Sequence, residues 1–170
     1  NLFEGGFIGL DNIGPIDRDH VPAGYRLEQS DATAWMASYA IHMAAIASLL
    51  RRNGRPTLDL ALKFLEHIAQ IHDAFADKAL WDEQDGFYYD RLVAPDGSGR
   101  PVKARTLVGV LPLLATVILG EHTLERTSVL GKRFAQWSDN GLLSPENVRL
   151  RGSPGDRRLL LGVAGHERMQ

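Results

Sequence analysis

Apolar side chains recur at three- and four-residue spacing over two stretches, and each predicts a helix. In the first, Ala32, Met36, Tyr39, Met43, Ala47 and Leu50 share one face. Ser30 or Asp31 offers an N-cap, and Arg51-Arg52-Asn53-Gly54 puts cations in the last turn with glycine just beyond. The second starts at Thr57 after Pro56 and ends near Asp77, with Leu58, Leu62, Leu65, Ile68 and Phe75 as its stripe. Only a few residues separate the two, so an antiparallel pair is expected. The pattern then changes. Aromatic-rich Phe87 to Val93, the turn residues Pro95-Asp96-Gly97-Ser98-Gly99 and then Val102 to Thr106 predict a β-hairpin on a longer loop. Leu107 to Leu119 is apolar all round and predicts a third, enclosed helix with Pro112 in its first turns. A fourth helix is expected from Leu124 to Trp137, with Leu124, Leu130, Phe134 and Trp137 on one side.

Glycine and proline at Gly5, Gly6, Gly9, Gly14, Pro15, Pro22 and Gly24 break residues 1–29 into a long irregular opening segment. Irregular segments of that length are often functional. After Asn140-Gly141 the chain is irregular again, and Gly152-Ser153-Pro154-Gly155 reads as an exposed turn. No internal repeat stands out. Helical pairs joined by decorated loops suit an α/α toroid or solenoid, and by composition alone an ordinary helical bundle equally well. The first residue is not Met, and Gly165 to Gln170 reads as the opening turn of another helix. Residues 1–170 are therefore expected to form a single partial domain, truncated at both ends.

The chain is 44% hydrophobic and 24% charged, the balance of a soluble globular protein. A net charge of -2 without a basic stripe argues against a nucleic-acid partner. The longest apolar run, Leu107 to Leu119, falls short of the roughly 20 residues a bilayer span needs, so no membrane association is expected. No signal peptide is visible, which makes a cytoplasmic location the expectation. With no cysteine, disulfides and thiolate chemistry are excluded. Oligomeric state is left open.

Four polar segments hold the candidate chemistry. In Gly9-Leu10-Asp11-Asn12, a carboxyl flanked by Leu10 and Ile13 is placed to have its pKa raised by desolvation, as a general acid requires. It could equally be an Asp-Asn turn capping its own loop. In Leu27-Glu28-Gln29-Ser30-Asp31, Asp31 lies one helical turn from Trp35, and an acid beside an aromatic platform suits a sugar. An N-cap Asp and a core Trp explain the same residues. Trp81-Asp82-Glu83 with Phe87-Tyr88-Tyr89-Asp90 is dense in aromatic and acidic residues, suited to polyol recognition or to packing on a neighbouring helix. Lys103-Ala104-Arg105-Thr106 offers cations that would clamp a carboxylate or neutralise acids such as Glu83 or Asp90. The six histidines include His67 and His72, which diverge on a helix, so no metal site is expected. There is no phosphate-cradling loop, dinucleotide fingerprint or nucleophile elbow.

These four segments, with Ala32-Thr33-Ala34-Trp35-Met36, Gln84-Asp85-Gly86 and Leu107-Val108-Gly109 continuing them, fall in the order seen in glycoside hydrolase family 63. The chain resembles that family's bacterial glucosidase-like branch, related to processing α-glucosidase and more distantly to trehalase. The resemblance covers about 100 of the 170 residues. It implies an all-α fold, part of an (α/α)6 toroid, with the small β-hairpin inserted between helices. It also implies an inverting hydrolase of α-glucosides or α-mannosides, needing no cofactor and taking an oligosaccharide or small glycoside. On that pattern Asp11 is the general acid, and Asn12, Glu28, Asp31, Trp35, Asp82, Tyr89 and Arg105 bind substrate. Inverting enzymes hold their two carboxyl groups about 6.5–9.5 Å apart to admit water.

The chain departs from the family in one respect. The family's base is a Glu that follows an Asn-Trp-Arg-Gly-Pro-type segment, and that segment is absent here. Glu146 and Glu167, the glutamates after residue 125, have no matching context. Two other readings therefore stand beside the hydrolase. One is a non-catalytic helical fragment that binds carbohydrate or protein. The other is a sugar epimerase or isomerase on the same toroid, although no His lies in the four segments.

Overall fold

The computed structural model describes residues 2–4, 14–77, 80–120, 136, 148–153, 155–165 and 168. Two long helices form its centre. Helix α1 spans Ser30–Arg52 and α2 spans Leu58–Asp77. They pack along one another across a short loop that turns at Gly54, whose φ of 81° favours glycine. On α2 the buried stripe is the expected one, with Leu65, Ile68 and Phe75 in the core and Leu58 and Leu62 partly buried against it.

On α1 only Ala32 and Ala47 of the expected stripe are buried. The packed face is Ala34, Ala37, Ala40, Ile41 and Ala44, whereas Met36, Tyr39 and Leu50 are exposed. The helix carries apolar residues nearly all round, so spacing alone cannot choose its inner side. Alanine is the best helix former, and a face of alanines lets a second helix approach closely. By length and composition α1 would also reach across a membrane, although its alanine face is committed to α2.

Apart from one short 3-10 helix the remaining described elements are strands, and they overturn the all-α toroid expectation. Strand β1 (Arg26–Glu28) pairs antiparallel with β4 (Asp90–Val93), which pairs with β5 (Gly99–Val102). The β4–β5 hairpin is the one expected from the pattern. Its loop turns at Gly97, and the Asp96 carboxylate accepts bonds from the backbone N–H and hydroxyl of Ser98. Strands β2 (Trp81–Asp82) and β3 (Phe87–Tyr88) make a second small hairpin.

The third helix expected over Leu107 to Leu119 is a 3-10 helix, η1 (Leu107–Leu114), followed by a strand, β6 (Thr116–Gly120). Pro112 removes a backbone N–H and its ring excludes the carbonyl four residues back, so α-helical bonding fails there. The β-branched run Thr116-Val117-Ile118 then favours an extended strand. Strand β6 pairs with β8 (Arg158–Gly162), which also pairs with β7 (Val148–Arg151). Glycines at φ of 103° and 97°, Gly152 and Gly155, turn the chain between β7 and β8 where an exposed turn was expected. The described part is thus a mixed α/β unit with three antiparallel sheets around one helix pair. The fourth expected helix, Leu124 to Trp137, lies outside the described residues apart from Gln136.

One core joins these elements. Ile41, Ile68, Phe75, Leu80, Tyr88, Leu111, Leu161 and Val163 belong to a single buried cluster. Gly109 brings η1 against β3, where a Cβ would collide with the Phe87 ring and the Tyr88 carbonyl.

Candidate active site

The start of α1 is built from charged residues that are out of contact with water. Gln29 precedes the helix in an extended conformation and makes no side-chain cap, while Asp31 Oδ1 accepts a bond from the first-turn N–H of Ala32 at 2.8 Å. A further cap comes from β4. Asp90 Oδ1 accepts bonds from the Ser30 backbone N–H at 2.8 Å and from its hydroxyl at 3.0 Å. Arg18, from the opening segment, then bridges two carboxylates, donating to Asp31 Oδ2 at 2.7 Å and to Asp90 Oδ2 at 2.6 Å. Burial is the largest single influence on the Arg18 pKa and opposes its charge. Its pairing with Asp31 and Asp90 outweighs that and leaves the pKa raised. Two carboxylates against one guanidinium leave one negative charge, and the positive end of α1 partly offsets it.

Glu28 and Arg91 stand opposite each other in the β1–β4 register, and Arg91 donates to Glu28 at 2.9 Å. Glu28 and Asp31 are therefore both held by arginines. Between them Gln29 is fully enclosed, and neither end of its amide has a partner. Arg18, Leu27, Tyr89, Asp90, Val102 and Thr106 contribute to the wall of a small open recess.

A second charged cluster lies on the β2–β3 turn. The backbone N–H of Asp85 donates to Asp82 Oδ1, and Gly86 closes the turn at a φ of 59°. Lys103 reaches Asp82 at 2.6 Å and Asp85 at 3.1 Å, and its ammonium lies 5.9 Å from the centre of the Tyr89 ring. The Tyr89 hydroxyl donates to Asp85, and exposed Arg105 lies 3.5 Å from the same carboxylate. The Lys103 bond holds both aspartates below the ordinary carboxylate pKa, with Tyr89 adding to the effect at Asp85. Lys103 itself is raised, by Asp82 first and then Asp85. Arg105 is raised by its bond to Tyr89 and by Asp85.

The expected site residues thus fall into separate places. Asp82, Tyr89 and Arg105 come together around Asp85 and Lys103. Glu28 and Asp31 belong to the arginine-held group at the start of α1. Trp35 is half-exposed on the outer side of that helix. Asp11 and Asn12 lie outside the described residues. Of the aromatic loop, Tyr88 packs onto Phe75 of α2 and Trp81, with ring centres 5.6 and 4.8 Å apart. Pattern reading missed Arg18 as a site-building residue. Set between Asp17 and Asp19 in an irregular segment, it carries no local sign of burial. Among the described residues no group of three acidic or histidine side chains is placed to hold a metal.

Residues 16–138 match the family described as mannosylglycerate hydrolase MGH1-like glycoside hydrolase domain. The chain is also 34% identical over 191 aligned residues to the uncharacterised protein YMR196W of Saccharomyces cerevisiae, across 99% of its own length. It spans only 17% of the length of that relative. No solved structure matches. The chain belongs to the MGH1-like glycoside hydrolase domain family, which is related to family 63.

Proposed function

We propose that the chain carries the acid half of an inverting glycosidase for small α-mannosides or α-glucosides, with Asp11 as general acid. The family match over residues 16–138 supports the glycosidase reading, and the resemblance of Gly9-Leu10-Asp11-Asn12 to family 63 supports Asp11. A proton donor needs a raised pKa, and Lys103 lowers those of Asp82 and Asp85. Glu28, Asp31 and Asp90 accept bonds from Arg91, Arg18 and Ser30 and frame the site. On the resemblance of Gly9-Leu10-Asp11-Asn12 to family 63, Asp11 donates to the departing oxygen, with Asn12 next in the sequence. Exposed Arg105 suits a carboxylate on the leaving group, such as the glycerate of mannosylglycerate. The base is a glutamate supplied from outside these residues, consistent with a chain that spans 17% of its relative.

The test is incubation of the intact enzyme, including the segment that supplies the base, with mannosylglycerate and aryl α-glycosides, following the released anomer by proton NMR. The β-anomer should appear first. Asp11→Asn should cut turnover by about 10²–10⁴ while sugar binding is retained. Comparable turnover in the variant would remove Asp11 from the mechanism. Because the family's base segment is absent, a second reading stands: saturable binding of an iminosugar without turnover would mark a non-catalytic carbohydrate-binding unit.

A further inference from the structure

Successive side chains of an extended segment point to opposite sides. Across Phe87, Tyr88 and Tyr89 the alternation separates two roles. Tyr88 packs inward on Phe75 and Trp81 and belongs to the main buried cluster. Phe87 and Tyr89 lie together, ring centres 5.4 Å apart, and Tyr89 is outside that cluster. Tyr89 falls between β3 and β4, so no ladder pairs it. Its backbone N–H donates to the Leu80 carbonyl at 2.8 Å, and its side chain is buried in the wall of the recess with Arg18 and Asp90.

The far end of that side chain is held by Asp85. The Tyr89 hydroxyl donates to Asp85 Oδ2 at 3.0 Å, and Lys103 donates to the same oxygen at 3.1 Å. Asp85 is itself fixed. Its backbone N–H donates to Asp82 Oδ1 at 2.8 Å, and Arg105 donates to its carbonyl at 3.2 Å. A phenol has one proton to donate, and here Asp85 receives it. What Tyr89 keeps for a ligand in the recess is its ring.

We propose that Asp85 is a positioning residue, holding Tyr89 as a fixed wall against which a sugar packs on the ring and not on the hydroxyl. The role rests on the glycosidase reading. Asp82 and Lys103 act one step further back, by holding Asp85. An aromatic ring offers apolar surface to the C–H face of a sugar. A ring fixed before the sugar arrives does not have to be immobilised on binding. That advantage is about two- to tenfold in affinity, the range for ordering one side chain.

Steady-state kinetics of the intact enzyme on an aryl α-glycoside tests the proposal. Asp85→Ala should raise KM by about two- to tenfold at unchanged kcat, the signature of binding lost equally in ground and transition states. Asp85→Asn keeps an acceptor for the Tyr89 hydroxyl and should stay close to wild type. Tyr89→Phe should raise KM as Asp85→Ala does, and the double variant should add nothing further. Tyr89→Leu removes the ring and should lose more than Tyr89→Phe, a comparison that holds even where Asp85→Ala does not fold. Additive effects in the double variant overturn the proposal. So does a fall in kcat at constant KM, or a Tyr89→Phe variant as damaged as Tyr89→Leu. A wild type that neither hydrolyses the glycoside nor binds an iminosugar removes the glycosidase reading itself, and the role of Asp85 falls with it.

Discussion

Gln29 sits where the surrounding charges leave it nothing to bond. Its neighbours Glu28 and Ser30 are taken up by Arg91 and Asp90, and its own amide is enclosed with both ends unpaired. A buried polar group without a partner costs about 1–3 kcal/mol, more than a similarly shaped apolar side chain would. Gln29→Met keeps the length and flexibility and removes the polar atoms. It should therefore raise stability by about 1 kcal/mol, read as a higher urea midpoint at constant slope. A lower midpoint would mean that ordered water bonds the amide, making it a structural contact.

Arg18 ties together three elements: the opening segment, the start of α1 and the start of β4. Removing it leaves two enclosed carboxylates against each other. Arg18→Met should cost about 3–5 kcal/mol, the range for breaking a buried ion pair by deleting one partner. A loss below about 1 kcal/mol in urea unfolding would show that the group is hydrated. The exposed cluster on the β2–β3 turn responds to pH instead. Asp82 and Asp85 have lowered pKa values in the folded chain, so their contribution is complete above the unfolded value of about 4. It fades as pH falls through the lower folded values. Lys103, raised, contributes below its unfolded value of about 10.4 and loses this as pH rises through its folded value. Lys103→Met should therefore melt below the wild type by a constant margin between about pH 5 and 9. The margin should close at acid pH. A margin unchanged at pH 2 would mean that the stem of Lys103, not its charge, is what the fold uses.

At the scale of the molecule, the parts written in local pattern were legible and those set by distant partners were not. The α2 stripe and the β4–β5 hairpin follow from spacing and turn residues. The strand character of Thr116 to Gly120 was hidden in an apolar run that length alone could not divide, although Pro112 was its local sign. The inner face of α1 depended on which side α2 would take, and the cap at Ser30 depended on a residue sixty positions away. Among site residues, the grouping of Asp82 with Tyr89 and Arg105 was foreshadowed by their dense polar segments, whereas the arginine partners of Glu28 and Asp31 were not. The β6–β8–β7 sheet lies at the end of the chain, yet Leu161, Val163 and Ala164 enter the same core as α1 and α2, and the backbone N–H of Val163 donates to the Ala115 carbonyl. A shared core predicts one cooperative unit. Leu161→Ala should cost about 2–5 kcal/mol and shift helical circular dichroism and tryptophan fluorescence together in urea. If the sheet were a separate unit, the substitution would leave the helical midpoint at its wild-type value.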